Sequence, residues 1–349
     1  MCFTKYLSLA ALAVVSHAAS GAFAVVSPSA AQALRNSPPG VARTAAIQAA
    51  DRQLDHAPRA MRSIHTEHTL PHQGIRDASI EAERDFPAAR QLALASALSG
   101  DSRYATAASR IIGAWLDVYQ PDFNPIDETN MDALLEAYDF LPDDAKAPIS
   151  VAFGNFVRNL ARGYLDRMPG VHGGTATNNW QSHRVKLATL SAYESGEAAL
   201  IERARQAFVK QLNDNLLPNG EVIDFAQRDA IHYVVYDLEP LITAALAAKM
   251  HGEDWYALAT RSGASLQKSL DWLAPFADGS KVHQEFLHSS VRFDYERRDA
   301  GVAGFSGEFD PKNARNVFAL AARLDTRYAA LAQKLRSGPT WLDVVWPLS

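Results

Sequence analysis

Cysteine is almost absent from this chain of 349 residues, which contains only Cys2. A single cysteine excludes a disulfide framework, a cysteine-rich zinc site and a Cys–His catalytic pair. Basic residues are not in excess either, since 34 Lys and Arg stand against 39 Asp and Glu, for a net charge of −5. Such a balance does not indicate nucleic-acid binding. The hydrophobic share of 48% excludes general disorder and is sufficient for a large core.

Several common signatures are also missing. The chain has no G-x-G-x-x-G, G-x-x-x-x-G-K-[ST], H-E-x-x-H or G-x-S-x-G sequence, so we expect neither a nucleotide cofactor nor serine hydrolase chemistry. No stretch shows sustained alternation of apolar and polar residues, so a large sheet is not expected.

The N-terminus has the pattern of a secretory signal peptide over residues 1–24. Lys5 precedes an apolar run over residues 6–15, and small residues follow up to Ala22-Phe23-Ala24. The run is too short for a transmembrane anchor. We therefore expect cleavage near the end of this stretch, export to the periplasm or the medium, and no membrane attachment afterwards.

The rest of the chain predicts helices. Residues 25–60 are rich in Ala, Ser and Pro and form an N-terminal lead-in segment, with one helix expected around Gly40–Leu54. Residues 61–349 are expected to form the main domain, because apolar residues recur there at three- and four-residue spacing. The clearest stretches are Phe86–Leu98, Tyr104–Tyr119, Ala145–Met168, Val185–Tyr193 and Leu238–Met250.

A weak repeat indicates how these helices are arranged. Apolar helices end at three similar turns, Ser99–Asp101, Ser195–Glu197 and His251–Glu253. In each turn glycine is expected to take the left-handed conformation, and the acid to open the next helix. The uneven spacing argues against a regular solenoid. We predict a single all-α domain, an incomplete α/α toroid (barrel) of helical hairpins with a cleft at one end.

The first candidate site is the glycine-rich stretch 173–186, GGTATNNWQSHRVK. Asn179 and His183 are four residues apart, so they share one face of a helix. The alternative is that Asn178 only caps the helix and Trp180 only packs in the core. Because so many polar groups follow one loop, we predict a site. Its members are Asn178, Asn179, Trp180, His183 and Arg184.

The second candidate site lies in residues 219–241, where a turn leads into a predicted helix. Arg228, His232 and Tyr236 follow each other at four-residue spacing, and Tyr233 lies to one side of that row. Tyrosines on apolar helices are often structural, and Tyr236 could be only that. Arg, His and two Tyr together are nevertheless unusual for core packing, so we predict that they line a cleft.

A third stretch, residues 65–77, is rich in histidine. His68 and His72 have the spacing of a helical metal-ligand pair, but Pro71 between them disfavours the helix that would align them. We therefore predict a polar lining for a sugar cleft rather than a metal site. The expected lining residues are His65, Glu67, His68, His72, Gln73 and Arg76.

A fourth stretch, residues 282–298, carries His283, His288, Arg292 and Tyr295. Two interpretations stay open: a further wall or lid of the cleft, with His283 and Arg292 contacting substrate, or a polar surface loop.

The first two stretches resemble motifs of the polysaccharide lyases of the alginate lyase superfamily. Asn178-Asn179 resembles their Asn-Asn-His motif, although Trp180 stands where the histidine is found. His183, one helical turn further on, is the substitute that we expect. The NNWQSHR sequence is similar to the corresponding sequence in a branch of these lyases that acts on alginate- or glucuronan-type polyuronates. The similarity extends at a low level over residues 61–335.

The second motif of that family is an Arg…Ala-Leu-x-Tyr-His helix. Here Arg228 is followed by Ala230-Ile231-His232-Tyr233, with Val234 in place of the last histidine and with a slightly different spacing from Arg to Tyr. The resemblance to this helix covers the stretch up to Leu238-Glu239-Pro240-Leu241.

The resemblance implies an α/α barrel and a β-elimination at C5 and O4 of a uronate, without metal or cofactor. Asn179, with Arg228 or His183, would stabilise the enolate-like state. Tyr233 would be base and acid where H5 and O4 lie on one face, and His183 a separate base where they lie on opposite faces. The expected partner is an anionic polysaccharide, and we expect a monomer.

Two other functions are weighed against the lyase. An α/α-barrel glycoside hydrolase would use paired carboxylates, with Asp224 and Asp237 or Glu239 as candidates. A non-catalytic periplasmic polyuronate-binding protein would grip the sugar with the Trp180–His183 cluster and show no turnover.

Overall fold

The computed structural model describes residues 22–348, and these residues form helices and connecting loops without a strand. About 64% of the described residues are helical, and the sequence predicts such an all-α fold. The helices are α1 (Pro28–Ala33), α2 (Val41–Asp51), α3 (Arg76–Glu83), α4 (Asp85–Ser99), α5 (Ser102–Val118), α6 (Asp132–Phe140), α7 (Asp143–Lys146), α8 (Ser150–Arg167), α9 (Asn179–Ser195), α10 (Ala198–Asn215), α11 (Ile223–Arg228), α12 (Ile231–Met250), α13 (Leu266–Ala277), α14 (Arg292–Asp299), α15 (Arg315–Leu324), α16 (Ala329–Leu335) and α17 (Trp341–Val345).

The helices form the predicted toroid. α4, α6, α9, α12 and α15 contact one another in that order and form an inner layer. α5 packs on α4, α8 and α10 pack on α9, and α13 packs on α12, which gives an outer layer. The single all-α domain with helical hairpins is therefore confirmed.

Two of the three predicted glycine turns end a helix and open the next one directly. Gly100 and Gly196 have φ angles of 76° and 68°, and the Asp101 side chain caps α5 by accepting from the Arg103 amide. Gly252 is also left-handed, with φ 83°. The third turn differs, because a loop rather than a helix follows it until α13 begins.

Two predicted helices are interrupted. The stretch Ala145–Met168 is divided into α7 and α8. The helix expected to carry Arg228 and His232 together is also divided, because Asp229 takes a left-handed conformation with φ 49°. Arg228 therefore ends α11, and α12 begins two residues after Asp229. The prediction that Arg228, His232 and Tyr236 share one face of a single helix was therefore wrong. α12 does carry His232, Tyr233 and Tyr236.

The first described residues of the chain are packed against the rest of the fold. Residues 1–21, most of the predicted signal peptide, lie outside the described residues. Phe23, Ala24, Val25 and Val26 are buried. α2 lies inside the range where the lead-in helix was expected. No helix among residues 22–348 is long and apolar enough to span a membrane.

Candidate active site

A cavity of about 200 Å³ lies where α9 begins, beside the junction of α11 and α12 and beneath the loop before α3. α14 closes its remaining side. Residues from all four predicted stretches therefore meet in one place. The lining residues that the sequence predicted are Glu67, His68, Arg76, Asn179, Trp180, Arg228, His232, Tyr233 and Tyr236.

Tyr233 lies between two arginines in this cavity. Its side chain is 6% exposed, and its Oη accepts a hydrogen bond of 2.8 Å from Arg297 Nη1. The Arg228 guanidinium lies 3.7 Å from the centre of the tyrosine ring. Burial raises the pKa of Tyr233, and the charges of Arg228 and Arg297 act in the opposite direction. The two guanidinium groups thus favour the tyrosinate form against the effect of burial.

Arg228 is fixed by a buried carboxylate. Its Nη1 donates to Asp294 Oδ1 at 2.5 Å, and Asp294 is fully buried. Asp294 also accepts from the Ser289 hydroxyl and lies 3.9 Å from Arg297. A buried acid that contacts both arginines therefore sets their positions around Tyr233.

Asn179 is held at the first turn of α9 by Asp224. Its backbone N–H donates to Asp224 Oδ2 at 2.7 Å, and its side-chain Nδ2 donates to Oδ1 of the same carboxylate. Burial raises the pKa of Asp224 to about 6. An amide nitrogen carries two hydrogens, so one is left for the cavity that Asn179 lines.

His232 is neutral in this setting. Burial, with Arg297 and Arg228 nearby, lowers its pKa to about 4. Its backbone N–H donates to Glu285, whose pKa is raised by burial to about 8. His232 therefore contributes a polar, uncharged wall next to Tyr233, with the rings 5.2 Å apart.

The histidine-rich loop is positioned by Asp127. Asp127 Oδ1 accepts from the backbone N–H groups of Thr66 and Glu67 at 2.7 and 2.8 Å. This places Glu67 and His68 at the cavity, where the two side chains pair with each other. Residues 22–348 contain no group of three or more His, Cys, Asp or Glu that could hold a metal ion.

His183 does not line the cavity that holds Tyr233. It is 3% exposed, and its Nδ1 pairs with the Thr129 hydroxyl at 2.6 Å. Its ring lies 4.3 Å from that of Tyr236 and borders a larger cavity of about 700 Å³ on the other side. Burial and Lys186 lower its pKa well below the usual value. The expected role of His183 as a separate base on the substrate is therefore not supported by its position.

Other predicted residues also lie outside this cavity, and each has a structural partner. Asn178 caps α9, and Arg184 donates to the Thr175 carbonyl. The remaining ones are His65, paired with Asp127; His72, paired with Asp77; Gln73, which accepts from Leu70; His283, which bonds Asp229; and Arg292, which pairs with Glu296 on the surface.

Arg297 and Phe293 line the cavity without having been predicted from the sequence. Both are on α14, four residues apart, and the Arg297 guanidinium lies 4.4 Å from the Phe293 ring. Phe293 in turn contacts the His68 ring at 4.8 Å. The four-residue spacing of an aromatic and a cation was the available signal, and it indicates one face of α14 as the fourth wall.

The carboxylates proposed for a hydrolase are engaged elsewhere. Asp224 is occupied by Asn179, and Asp237 is buried and accepts from the Ser182 hydroxyl at 2.6 Å. Glu239 borders the larger cavity. None of the three lines the cavity of Tyr233. These residues therefore do not provide the pair of carboxyl groups that a hydrolase would need in this cavity.

Comparison with known sequences agrees with this geometry. The sequence model of the alginate lyase family matches residues 28–283. The chain belongs to the alginate lyase family. It is a polysaccharide lyase acting on a polyuronate, and the hydrolase and the binding protein are not favoured. No curated protein matches the sequence of this lyase.

Solved structures support the fold of the lyase. An alginate lyase from Bacteroides ovatus has a TM-score of 0.64 and 15% identity, over 92% of this chain and 97% of that one. Alginate lyase A1-III from Sphingomonas species A1 has a TM-score of 0.54 and 18% identity, over 83% and 92%. A variant of A1-III complexed with a tetrasaccharide has a TM-score of 0.53 and 17% identity, over 83% and 92%.

Proposed function

We propose that the lyase cleaves polymannuronate, and glucuronan as a second substrate of the same geometry, with Tyr233 as both base and acid. The observation that carries this proposal is the position of Tyr233 Oη, bonded to Arg297 and with Arg228 over its ring. In mannuronate and glucuronate, H5 and O4 lie on one face of the ring. One group can then serve both proton transfers.

The charge of the cavity suits a uronate. Arg76, Arg228 and Arg297 line it against the single acid Glu67. Removing H5 is difficult because the developing negative charge lies beside the ionised carboxylate. Arginines and the free amide hydrogen of Asn179, fixed before the substrate arrives, would stabilise this charge, an effect of about 3–4 kcal/mol for one such donor.

The reaction balances without another reactant. The Tyr233 oxygen takes H5, and the C5–H electrons form the C4–C5 double bond. The C4–O4 bond breaks, and the departing O4 takes the proton from Tyr233. One product carries the departed oxygen as the anomeric hydroxyl of a new reducing end, the other begins with a 4,5-unsaturated uronate at its non-reducing end, and Tyr233 returns to its starting state.

Guluronate would require a different arrangement. Its H5 and O4 lie on opposite faces, so a second proton-transfer group would have to stand across the ring from Tyr233. His183, the residue expected for this role, is buried behind Tyr236 and is bonded to Thr129. This position supports elimination on one face.

The similarity to a lyase variant complexed with a tetrasaccharide supports a polymeric substrate.

The chemical structure of the product tests whether the protein cleaves by elimination. Incubation with polymannuronate should give oligosaccharides that absorb in the ultraviolet and that are one water lighter than hydrolysis products by mass spectrometry. Saturated ends with a full added water would contradict the proposal and support hydrolysis.

A further inference from the structure

We propose that the leader is removed at the bond between Ala22 and Phe23, and that the freed α-ammonium group of Phe23 is held beside a buried carboxyl pair, Asp139 and Glu194. This site lies at the N-terminus and is independent of the lyase function. It combines the signal-peptide pattern of residues 1–24 with contacts made by residues 22–26.

Asp139 is built to receive the start of the chain. It lies on α6, is 1% exposed, and forms no ion pair with a Lys or Arg among the described residues. Its carboxylate accepts from the backbone N–H groups of Ala24 at 2.9 Å and of Val25 and Val26 at 2.8 Å each. Burial raises the pKa of Asp139, and the hydrogen bonds from Glu194 and from these three amides act in the opposite direction.

Glu194, on α9, makes this site unusual. Its side chain is buried, and no N–H or hydroxyl group of the described residues donates to its Oε2. Burial and the adjacent Asp139 raise its pKa, while Lys146 and the Ala24 amide act in the opposite direction. Lys146 itself sits over the Tyr138 ring, 4.8 Å away. The two buried carboxyls thus stand together and share a proton through a side-chain hydrogen bond, and neither forms an ion pair with a Lys or Arg of residues 22–348.

Phe23 is packed into the fold. Its ring is buried and stacks on His251 at 4.0 Å, and the other face of His251 stacks on Tyr193 at 4.0 Å. His251 Nε2 also bonds the Phe23 carbonyl oxygen at 3.0 Å. Ala22, one residue earlier, is exposed. Cleavage after Ala24 would remove this packed ring.

The sequence allows the earlier cut. Ser20 and Ala22 are small residues at the third and first positions before the bond, as a signal peptidase requires. Hydrolysis consumes one water and leaves a carboxylate on Ala22 and an ammonium group on Phe23. The inferred bond is two residues before the end of the leader expected from the sequence pattern.

The new ammonium group would lie next to the carboxyl pair. Consecutive Cα atoms are about 3.8 Å apart, and the next amide along, that of Ala24, already contacts Asp139. The ammonium group has more donors than the amide that it replaces, and it brings a positive charge that would take the place of the shared proton. Processing would therefore stabilise the fold as well as release the chain.

Two measurements test this inference. Protein exported from a Gram-negative host is analysed by N-terminal sequencing and intact mass, and the expected first residue is Phe23. A start at Val25, or retention of the leader, would overturn the cleavage site.

The ammonium contact is tested by comparing the chain that begins at Phe23 with one that keeps Gly21-Ala22 before it. We expect the extended chain to melt about 2 °C or more lower, and Glu194→Gln to lower the Tm of the mature chain more than that of the extended chain. Glu197→Gln, at a partly exposed acid that pairs with Arg162, is the control and should affect both equally. Equal effects of Glu194→Gln in both chains would overturn the contact.

Discussion

Replacing Tyr233 by phenylalanine should lower kcat/KM on polymannuronate by about 10³-fold or more. General acid–base catalysis contributes about 10²–10⁴-fold, and this change removes the base and the acid together. The ring, its packing and the Arg228 contact remain, so only the hydrogen bond with Arg297 is lost, at a cost of about 1–3 kcal/mol of stability. Initial rates are followed by the ultraviolet absorbance of the unsaturated product, and folding by circular dichroism.

A second tyrosine provides the control for this variant. Tyr256 is half-buried and donates to Asp325 at 3.1 Å, and it does not line the cavity. Tyr256→Phe removes the same atom and one hydrogen bond, and should leave kcat/KM within about twofold of the original. If Tyr233→Phe keeps a tenth or more of the activity with an intact fold, Tyr233 is not the proton-transfer group.

Replacing Arg297 by glutamine should lower kcat by about 10²-fold at neutral pH and move the pH profile upward. Arg297 donates to Tyr233 Oη, and its charge lowers the pKa of that phenol. Without the charge the pKa of Tyr233 rises, so a smaller fraction is tyrosinate at any given pH below it. The rising limb of the kcat profile should therefore shift to higher pH, and part of the lost rate should return in alkaline buffer.

Two further variants show whether the effect of Arg297→Gln comes from the lost charge next to Tyr233. Arg297→Lys keeps the charge and should recover part of the rate with a smaller shift of the profile, although lysine lacks the planar fork of arginine. Arg298→Gln changes the adjacent arginine, which is exposed and pairs with Asp299, and should leave the profile unchanged. A loss of activity in Arg297→Gln without any shift in pH dependence would assign Arg297 to substrate binding alone.

The sequence was sufficient to find the two helices that carry the site. The motif around Asn179 and the Tyr233 segment could be read directly, because a cap and a cluster of polar residues on apolar helices are local features. The toroid followed in the same way from the glycine turns, such as that at Gly100, whose left-handed conformation is a property of one residue.

The remaining features depend on contacts between distant parts of the chain. His183 belongs to α9, which is buried on nearly all sides, so helical spacing could not show which cavity it borders. Asp229 is left-handed without being glycine, and it accepts from the His288 backbone far along the chain. Arg297 reaches Tyr233 from a helix 64 residues away. Local patterns carry no information about these pairings.

The most direct test of the account is the initial rate of unsaturated product formation on polymannuronate and on polyguluronate, measured side by side at equal uronate concentration. Elimination on one face by Tyr233 predicts at least about 10²-fold faster cleavage of polymannuronate, because on guluronate one of the two proton transfers would lack its catalyst. Equal rates on the two polymers, or faster cleavage of polyguluronate, would contradict it.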